Sequence, residues 1–446
     1  MNLLIKNISY LVRSPEDVDK NCDLLIERNL IGEIGKNLSV SEGCEILDGS
    51  GCIVIPGLIN AHSHLYQNFL KGVAGDLSLI PWISDLLFPT VGAVREVFAS
   101  GNERPAYLWT AVAAIEMIRG GITSCLNMDV MSEAIFEAWQ DLGLRGVAAY
   151  TLTNRWVPED LRSKDLETRQ KVRAYINKWH HPNGMTQVFP APSTPFLCDD
   201  ELLIWARDLA VDFDLGIQIH VSETAGEDVD SNKDFGMTQI ERLHKLGILS
   251  PRFSAVHCVH IRTNDIAMLA DSGSLVVHCP KSNMKLADGM MPAVELKDAG
   301  VPISIATDGC GSNDLLDMWE DMRSGALLAR VSNNDAAALS AVEVFRMATS
   351  EPAKVCRVDA GQLNPGSLAD IAVIEINAAH LQPFHADHLM NMLVFCTKAS
   401  DVRDTIINGE LVMKDRKITT IDEAQLLKEA AEVEAGLYAR RDHFRY

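Results

Sequence analysis

The chain has 446 residues, 47% of them hydrophobic, and a net charge of −21. An acidic surface of that size repels phosphate backbones and anionic lipid, which excludes nucleic acid and membrane as partners and favours a small neutral or cationic substrate. The length exceeds one ordinary compact core, so either a large α/β barrel with an appendage or two domains is expected.

Residues 1 to about 50 read as short strands at 3–5, 9–12, 22–26 and 45–47, with Gly32, Gly43, Gly49 and Gly51 at the turns. This β module is too short to bury a core alone. From residue 52 onward strand and helix alternate. A strand at 52–59 is followed by a helix at 106–119, a strand at 122–127, a helix at 133–142 closed by Gly143, and a strand at 146–150. A helix at 167–179 and a strand at 187–191 come next, then a helix capped by Asp199 and a strand at 216–220. Helices at 237–246, 264–270 and 291–299 separate strands at 254–257, 275–278 and 301–307. Eight strands parted by helices predict a closed parallel (β/α)8 TIM-like barrel over residues 56–359. The Gly-x-Gly-x-x-Gly turn of an open dinucleotide-binding sheet is missing.

The early strand texture returns at 370–376, 402–407 and 410–413, with Asn408-Gly409 as a hairpin turn between the last two. Both chain ends are therefore expected to build one small β-sandwich, residues 1–55 with 360–420, and residues 421–446 form a helical tail outside it. Ten cysteines without a Cys-x-x-Cys pair suit a reducing compartment. The N-terminus lacks a signal-peptide layout and no apolar run spans a bilayer, so a cytoplasmic protein is expected.

The stretch from residue 54 to 65 ends in two histidines one residue apart. On a strand, residues i and i+2 face the same side, so His62 and His64 can aim both imidazoles at one point. Alone, that pattern suits a solvated strand end as well as a metal site. In a barrel, however, chemistry gathers at the C-terminal strand ends. There strand five carries His220 and, three residues on, Glu223; strand six ends in His257, strand seven in His278 and strand eight in Asp308. One such histidine is explained by a hydrogen bond to the next loop; this many at one barrel end favour a metal site.

Four motifs carry a resemblance: Pro-Gly-Leu-Ile-Asn-Ala-His-Ser-His, Ile-His-Val-Ser-Glu-Thr, Val-His-Cys-Val-His, and Ala-Thr-Asp-Gly-Cys-Gly-Ser-Asn-Asp. In this order they resemble the amidohydrolase superfamily, and the likeness extends to Leu-Asn-Pro-Gly-Ser-Leu-Ala-Asp-Ile near residue 363. The chain is most similar to the mononuclear branch, with deaminases of guanine, S-adenosylhomocysteine and pterins and the s-triazine hydrolases. The resemblance implies that His62, His64, His220 and Asp308 hold one divalent metal ion per chain, zinc in most members and iron in some. No lysine stands at the end of strand four, residues 188–191, which departs from the binuclear branch. It further implies that Asp308 takes a proton from the metal-activated water, that Glu223 protonates a substrate ring nitrogen, and that His257 orients the nucleophile or polarises the leaving side. For His278, followed by Cys279-Pro280, a structural role weighs at least as much as substrate contact, and His260 reads as a loop residue.

The segment 65–89 is expected as a long loop closing over the substrate, with Trp82 placed to stack on a flat ring or to pack. Ser193, in the loop after strand four, is a further expected substrate contact. S-adenosylhomocysteine-type deaminases resemble this chain except for a histidine at the Ser193 position and a glutamate near Val91. Both departures count against a nucleoside and favour a smaller pterin, purine, pyrimidine or triazine ring. The expected activity is hydrolytic deamination of an aromatic N-heterocycle. The alternatives are dechlorination or dealkylamination of a triazine-like ring, deamination of an adenosine-type nucleoside, and a non-catalytic scaffold, which retention of every ligand disfavours. A homo-oligomer is expected.

Overall fold

A computed structural model describes residues 2–39, 43–73, 75–163 and 165–444. Residues 40–42 of the expected β module, 74 of the expected loop and 445–446 of the expected tail lie outside the described residues. The N-terminal strands are β1 (Asn2–Ser14), β2 (Asp17–Glu27), β3 (Leu30–Gly35), β4 (Glu45–Asp48) and β5 (Cys52–Pro56). The central ones are β6 (Leu58–Ser63), β7 (Ile122–Asp129), β8 (Arg145–Leu152), β9 (Thr186–Pro192), β10 (Ile217–Val221), β11 (Phe253–His257), β12 (Leu275–His278) and β13 (Ile303–Ile305). The last are β14 (Ile371–Glu375), β15 (Val402–Ile407), β16 (Glu410–Lys414) and β17 (Lys417–Ile418).

Strands from both chain ends share one nine-stranded sheet, in the order β17-β16-β15-β14-β5-β1-β2-β3 with β4 on β1. Here β5 lies antiparallel to β14, Val54 opposite Val373. Ile5, Leu24, Val54, Leu363 and Val373 belong to an apolar cluster of this sheet's own. β1 is one long strand where two short ones were expected. Its register slips between Ile5 and Ile8, and Asn7 there takes φ 58°, so a bulge interrupts the alternation that sequence reading relies on. Gly32 lies inside β3, and the turn falls earlier, where Arg28 takes φ 58°.

The expected strand 52–59 is two strands that serve different sheets. They part at Gly57, where an added Cβ would lie 2.2 Å from the Thr123 side chain, so only glycine lets the chain pass β7 this closely. β6 to β9 form one parallel sheet and β10 to β13 another, each of four strands. Backbone hydrogen bonds cross both gaps between them: His220 N to Ser193 O at 3.0 Å, and Asp308 N to His62 O at 3.1 Å. Asn60 reinforces the second, donating to Thr307 Oγ1 at 2.7 Å and accepting from Thr307 N at 3.0 Å. β6 through β12 are buried along their length apart from two positions of β8, as expected for strands covered on both faces.

The expected loop 65–89 is mostly helical. A turn at Leu65–Leu70 precedes a helix at Leu79–Trp82, which runs through a π turn at Ile83–Leu87 into Phe88–Ala99. Pro89 sits at the start of that last segment, a position that tolerates it. The prolines and Gly92 hid this helix from pattern reading. A helix at Ala225–Phe235 also went unread, and its capping box joins Thr224 to Glu227 directly after Glu223. The tail helix is Glu423–Arg440, tied to the helix Arg104–Arg119 by Arg104–Glu429 and Arg119–Glu423 ion pairs.

At the N-terminal end of β8, Arg145 meets Asp370 in front of β14, with Nε to Oδ2 at 2.8 Å and Nη2 to Oδ1 at 3.1 Å. Both side chains are 1% exposed. Arg145 Nη1 donates to Gly184 O at 2.6 Å, and Asp370 Oδ1 also accepts from Asn408 N at 2.7 Å. Every charge in this pair is answered.

Candidate active site

Four of the expected residues converge at the C-terminal strand ends. His62 is the fifth residue of β6, His64 lies just past its end, His220 is in β10, and Asp308 follows β13. One donor atom from each lies within 4.8 Å of every other. His220 Nε2 stands 3.1 Å from His62 Nε2 and 3.2 Å from His64 Nε2, while Asp308 Oδ1 is 3.3 Å from both His62 and His64.

The hydrogen bonds behind the rings assign the tautomers. His64 Nδ1 meets Met128 O at 2.6 Å and His220 Nδ1 meets Ser193 O at 2.7 Å; a carbonyl oxygen only accepts, so each Nδ1 carries the proton. His62 Nδ1 meets Gln218 Oε1 at 2.7 Å, and the Gln218 amide is oriented by donating to Ala61 O at 3.0 Å. All three Nε2 atoms therefore present bare lone pairs to one another. That arrangement is repulsive without a cation between them, and neutral imidazole held from behind is the form that binds a metal. Three imidazoles and a carboxylate suit a divalent ion such as zinc. Burial, followed by neighbouring His62, pushes His64 down to about 4 and His220 well below its ordinary range, so both stay neutral near pH 7. Asp308 Oδ2 accepts from Ser282 Oγ at 2.6 Å and Ser312 Oγ at 2.8 Å, leaving Oδ1 for the centre.

Tight, left-handed turns aim these side chains. Asp308 takes φ 61°, His257 φ 71° and Ser222 φ 49°, all unusual for residues with a Cβ and costing of order 1–3 kcal/mol each. The turn at Ser222 brings Glu223 back over the strand end. Ser222 N is held by Gln239 Oε1 at 2.9 Å and its hydroxyl by Asp228 Oδ1 at 3.2 Å. Glu223 Oε2 lies 3.6 Å from His257 Nε2, whose Nδ1 meets Asn283 Oδ1 at 2.9 Å. Burial, then the charges of Asp288 and Glu227, raises Glu223 well above the usual carboxyl range; burial pushes His257 down to about 4. Burial thus favours the protonated form of the carboxyl and the neutral form of the imidazole.

His64, His220, Glu223, His257 and Asp308 all line a cavity of about 580 Å³. Its wall also includes Trp82, Val91 and Ser193. Trp82 is 6% exposed and donates its indole N–H to Gly311 O at 3.2 Å, so it packs and lines at once. His278 is buried behind the cavity, with Nδ1 lacking a partner among the described residues. His260 Nε2 meets Asp288 O at 2.6 Å. Sequence reading missed Gln218, Asn283, Ser282, Ser312, Glu227 and Asp288. Gln218 lies two residues before His220 on the same face of β10, but an amide there carries no signal of its own, and the others left no pattern either.

Residues 53–412 match the amidohydrolase family, and the chain belongs to it. The chain is 34% identical to a 5'-deoxyadenosine deaminase of Methanothermobacter thermautotrophicus, over 97% of this chain and 99% of that one. It is 33% identical to a 5-methylthioadenosine/S-adenosylhomocysteine deaminase of Pyrococcus furiosus, over 95% of this chain and 98% of that one. Among solved structures, an adenosine deaminase from Xanthomonas campestris with bound zinc superposes with a TM-score of 0.90 at 28% identity, covering 98% of both chains. The protein is thus a hydrolase of C–N bonds, of the metal-dependent deaminase kind, with a TIM-barrel-type α/β fold.

Proposed function

We propose that this enzyme removes the exocyclic amino group from the adenine-type base of a nucleoside, using one zinc ion held by His62, His64, His220 and Asp308. The observation that carries the reading is the Glu223–His257 pair beside that cluster, on the wall of a cavity of about 580 Å³. A cavity of that volume is in the range that encloses drug-sized ligands and leaves room beyond a bare ring. Relatives over nearly the full length bear the names of 5'-deoxyadenosine and 5-methylthioadenosine/S-adenosylhomocysteine deaminases. These two supports outweigh Ser193 and Val91, which pointed to a smaller ring. The two four-stranded sheets are read as one closed barrel over residues 56–359, because hydrogen bonds cross both gaps. The nine-stranded sheet is read as the sandwich of both chain ends, residues 1–55 with 360–420, around its own apolar cluster.

A divalent ion in this position supplies Lewis acidity that makes water a nucleophile near neutral pH. The chain's own groups then move the protons. Protonated Glu223 donates to the ring nitrogen beside the amine-bearing carbon, which becomes electrophilic. As water adds to that carbon, Asp308 takes one of its protons, and neutral His257 orients the adding oxygen. Asp308 passes its proton to the amino group, which leaves as ammonia. The oxygen's remaining proton returns to Glu223, so the product carries a ring N–H and a carbonyl and the enzyme is restored.

The test is ammonia release by the zinc-loaded protein from a panel: 5'-deoxyadenosine, 5'-methylthioadenosine, S-adenosylhomocysteine, free adenine, guanine, a pterin, an aminotriazine and a chlorotriazine. Release from the nucleosides is expected. Turnover of free rings alone would restore the smaller-ring reading, and chloride release without ammonia would replace deamination.

A further inference from the structure

The carboxyl of Asp308 is aimed by two hydroxyls. Ser282, in the helix Pro280–Lys285, and Ser312, in the helical turn Cys310–Asn313, both donate to Oδ2, at 2.6 and 2.8 Å, which leaves Oδ1 facing the imidazoles. Segments of six and four residues hold no geometry by themselves. Something else must fix the two serines.

Both segments are tied to one side chain. Asp321 stands in the helix Met318–Asn333, fully buried and outside the cavity wall. Its Oδ1 accepts from Lys281 N at 3.4 Å, one of the N–H groups that a helix start leaves without a partner, one residue before Ser282. Its Oδ2 accepts from Asn313 Nδ2 at 3.0 Å, one residue after Ser312. The same Asn313 atom lies 2.6 Å from Thr307 O. Standing between two acceptors, it is the amide nitrogen, and it gives one proton to each. Thr307 O is the carbonyl that enters the left-handed turn at Asp308. The Asp321 carboxyl therefore leads to Asp308 through both serine segments and through the backbone just before it.

The helix carrying Asp321 is a fixed reference. Two residues before, Trp319 donates its indole N–H to Gly120 O at 2.9 Å. Two residues after, Arg323 donates to Phe395 O at 3.1 Å and to Thr397 O at 2.7 Å. Lys281 is also ion-paired with Glu320, next to Asp321.

We propose that Asp321 is a positioning residue for Asp308: by tying the Ser282 and Ser312 segments to one anchored helix, it keeps Oδ2 hydrogen-bonded and Oδ1 turned toward the metal ion. The inference rests on the reading of His62, His64, His220 and Asp308 as metal ligands. Without the tie the two hydroxyls drift, the carboxyl is free to rotate, and the ion is held less tightly.

Zinc affinity of the full chain decides it, measured by chelator competition at a temperature where unfolding curves show every variant folded. D321N keeps the volume but turns one acceptor into a donor, so one tie breaks whichever way the amide faces. It should weaken zinc binding about tenfold, and D321A up to about a hundredfold. Should D321A not fold, D321N decides. Wild-type affinity in D321N overturns the proposal. D370N, which loses stability at the other end of the strands, should bind zinc as the wild type does; weakening equal to that of D321N would mark general loosening and overturn the proposal too. In an S282A/S312A background D321N should have little further effect, and an undiminished effect overturns the route through the hydroxyls. A wild type that holds no zinc would overturn the ligand reading and this inference with it, whereas a zinc-binding wild type matched by D321N sinks the inference alone.

Discussion

The two ends of the central strands handle buried charge in opposite ways. At the N-terminal end Arg145 and Asp370 are almost completely buried, and each is matched by a charge and by backbone groups. At the C-terminal end three bare imidazole nitrogens face one another, and Glu223, Glu227 and Asp288 are buried with no lysine or arginine paired to them among the described residues. Both are polar clusters inside an apolar protein. The first is complete and can only hold the fold; the second is incomplete, which makes it able to take a metal ion and to pass protons. Burial alone does not mark a site. Burial with the account left open does.

The sharpest test of this contrast is to disable the open end. His220→Ala, or exhaustive chelation, should remove the metal and reduce turnover to background, with zinc restoring the chelated wild type but not the variant; zinc content and ammonia release measure both. Glu223→Gln should lower kcat by about 10²–10⁴ while zinc remains near one per chain. Loss of zinc in that variant would move Glu223 into the ligand set. At the closed end, Asp370→Asn should cost about 3–5 kcal/mol by stranding a buried guanidinium, read by denaturant unfolding, with kcat unchanged. A double replacement by apolar residues of similar volume should recover most of that loss.

Acid should separate the two ends as well. His64 and His257 are held down to about 4, so in the metal-free protein both remain neutral as pH falls from 6.5, while the unfolded chain takes up their protons. Their contribution is intact above pH 6.5 and is lost progressively toward about 4, by about 3 kcal/mol each at most. Thermal melts of the metal-free protein across that range check the sign. The smallest effect is expected behind the ligands: Gln218→Ala frees His62 to rotate and should weaken zinc binding about 10–100-fold, measured by chelator competition.

The His62, His64, His220 and Asp308 cluster was legible because imidazole pairs at i and i+2, and a His or Asp at a strand end, are uncommon and chemically pointed. Gln218, Ser282, Asn283, Ser312 and Asp288 were not, because amides, hydroxyls and lone carboxylates occur throughout any chain and acquire meaning only from the partner that tertiary structure brings. Helix–strand alternation was legible from residue 106 to 307 for the same periodic reason, apart from the helices Ala225–Phe235 and Pro280–Lys285. It failed where local chemistry interrupted the period: at Asn7, where a bulge broke β1; at Gly57, where one apolar run fed two sheets; and across Leu79–Ala99, where prolines masked a helix that walls the cavity.

The pairing of β5 with β14 also sets a schedule. Val54 meets Val373, so one edge of β5 lacks its partner until about 320 further residues have been made. At ordinary synthesis rates that interval is on the order of 15–60 s. Throughout it the nascent chain carries an apolar strand with an open edge, the kind of surface that joins other chains. The strands that carry the histidine cluster, and Asp308 with them, are made before β14, so the sheet that unites the two chain ends cannot close until after they have been synthesised.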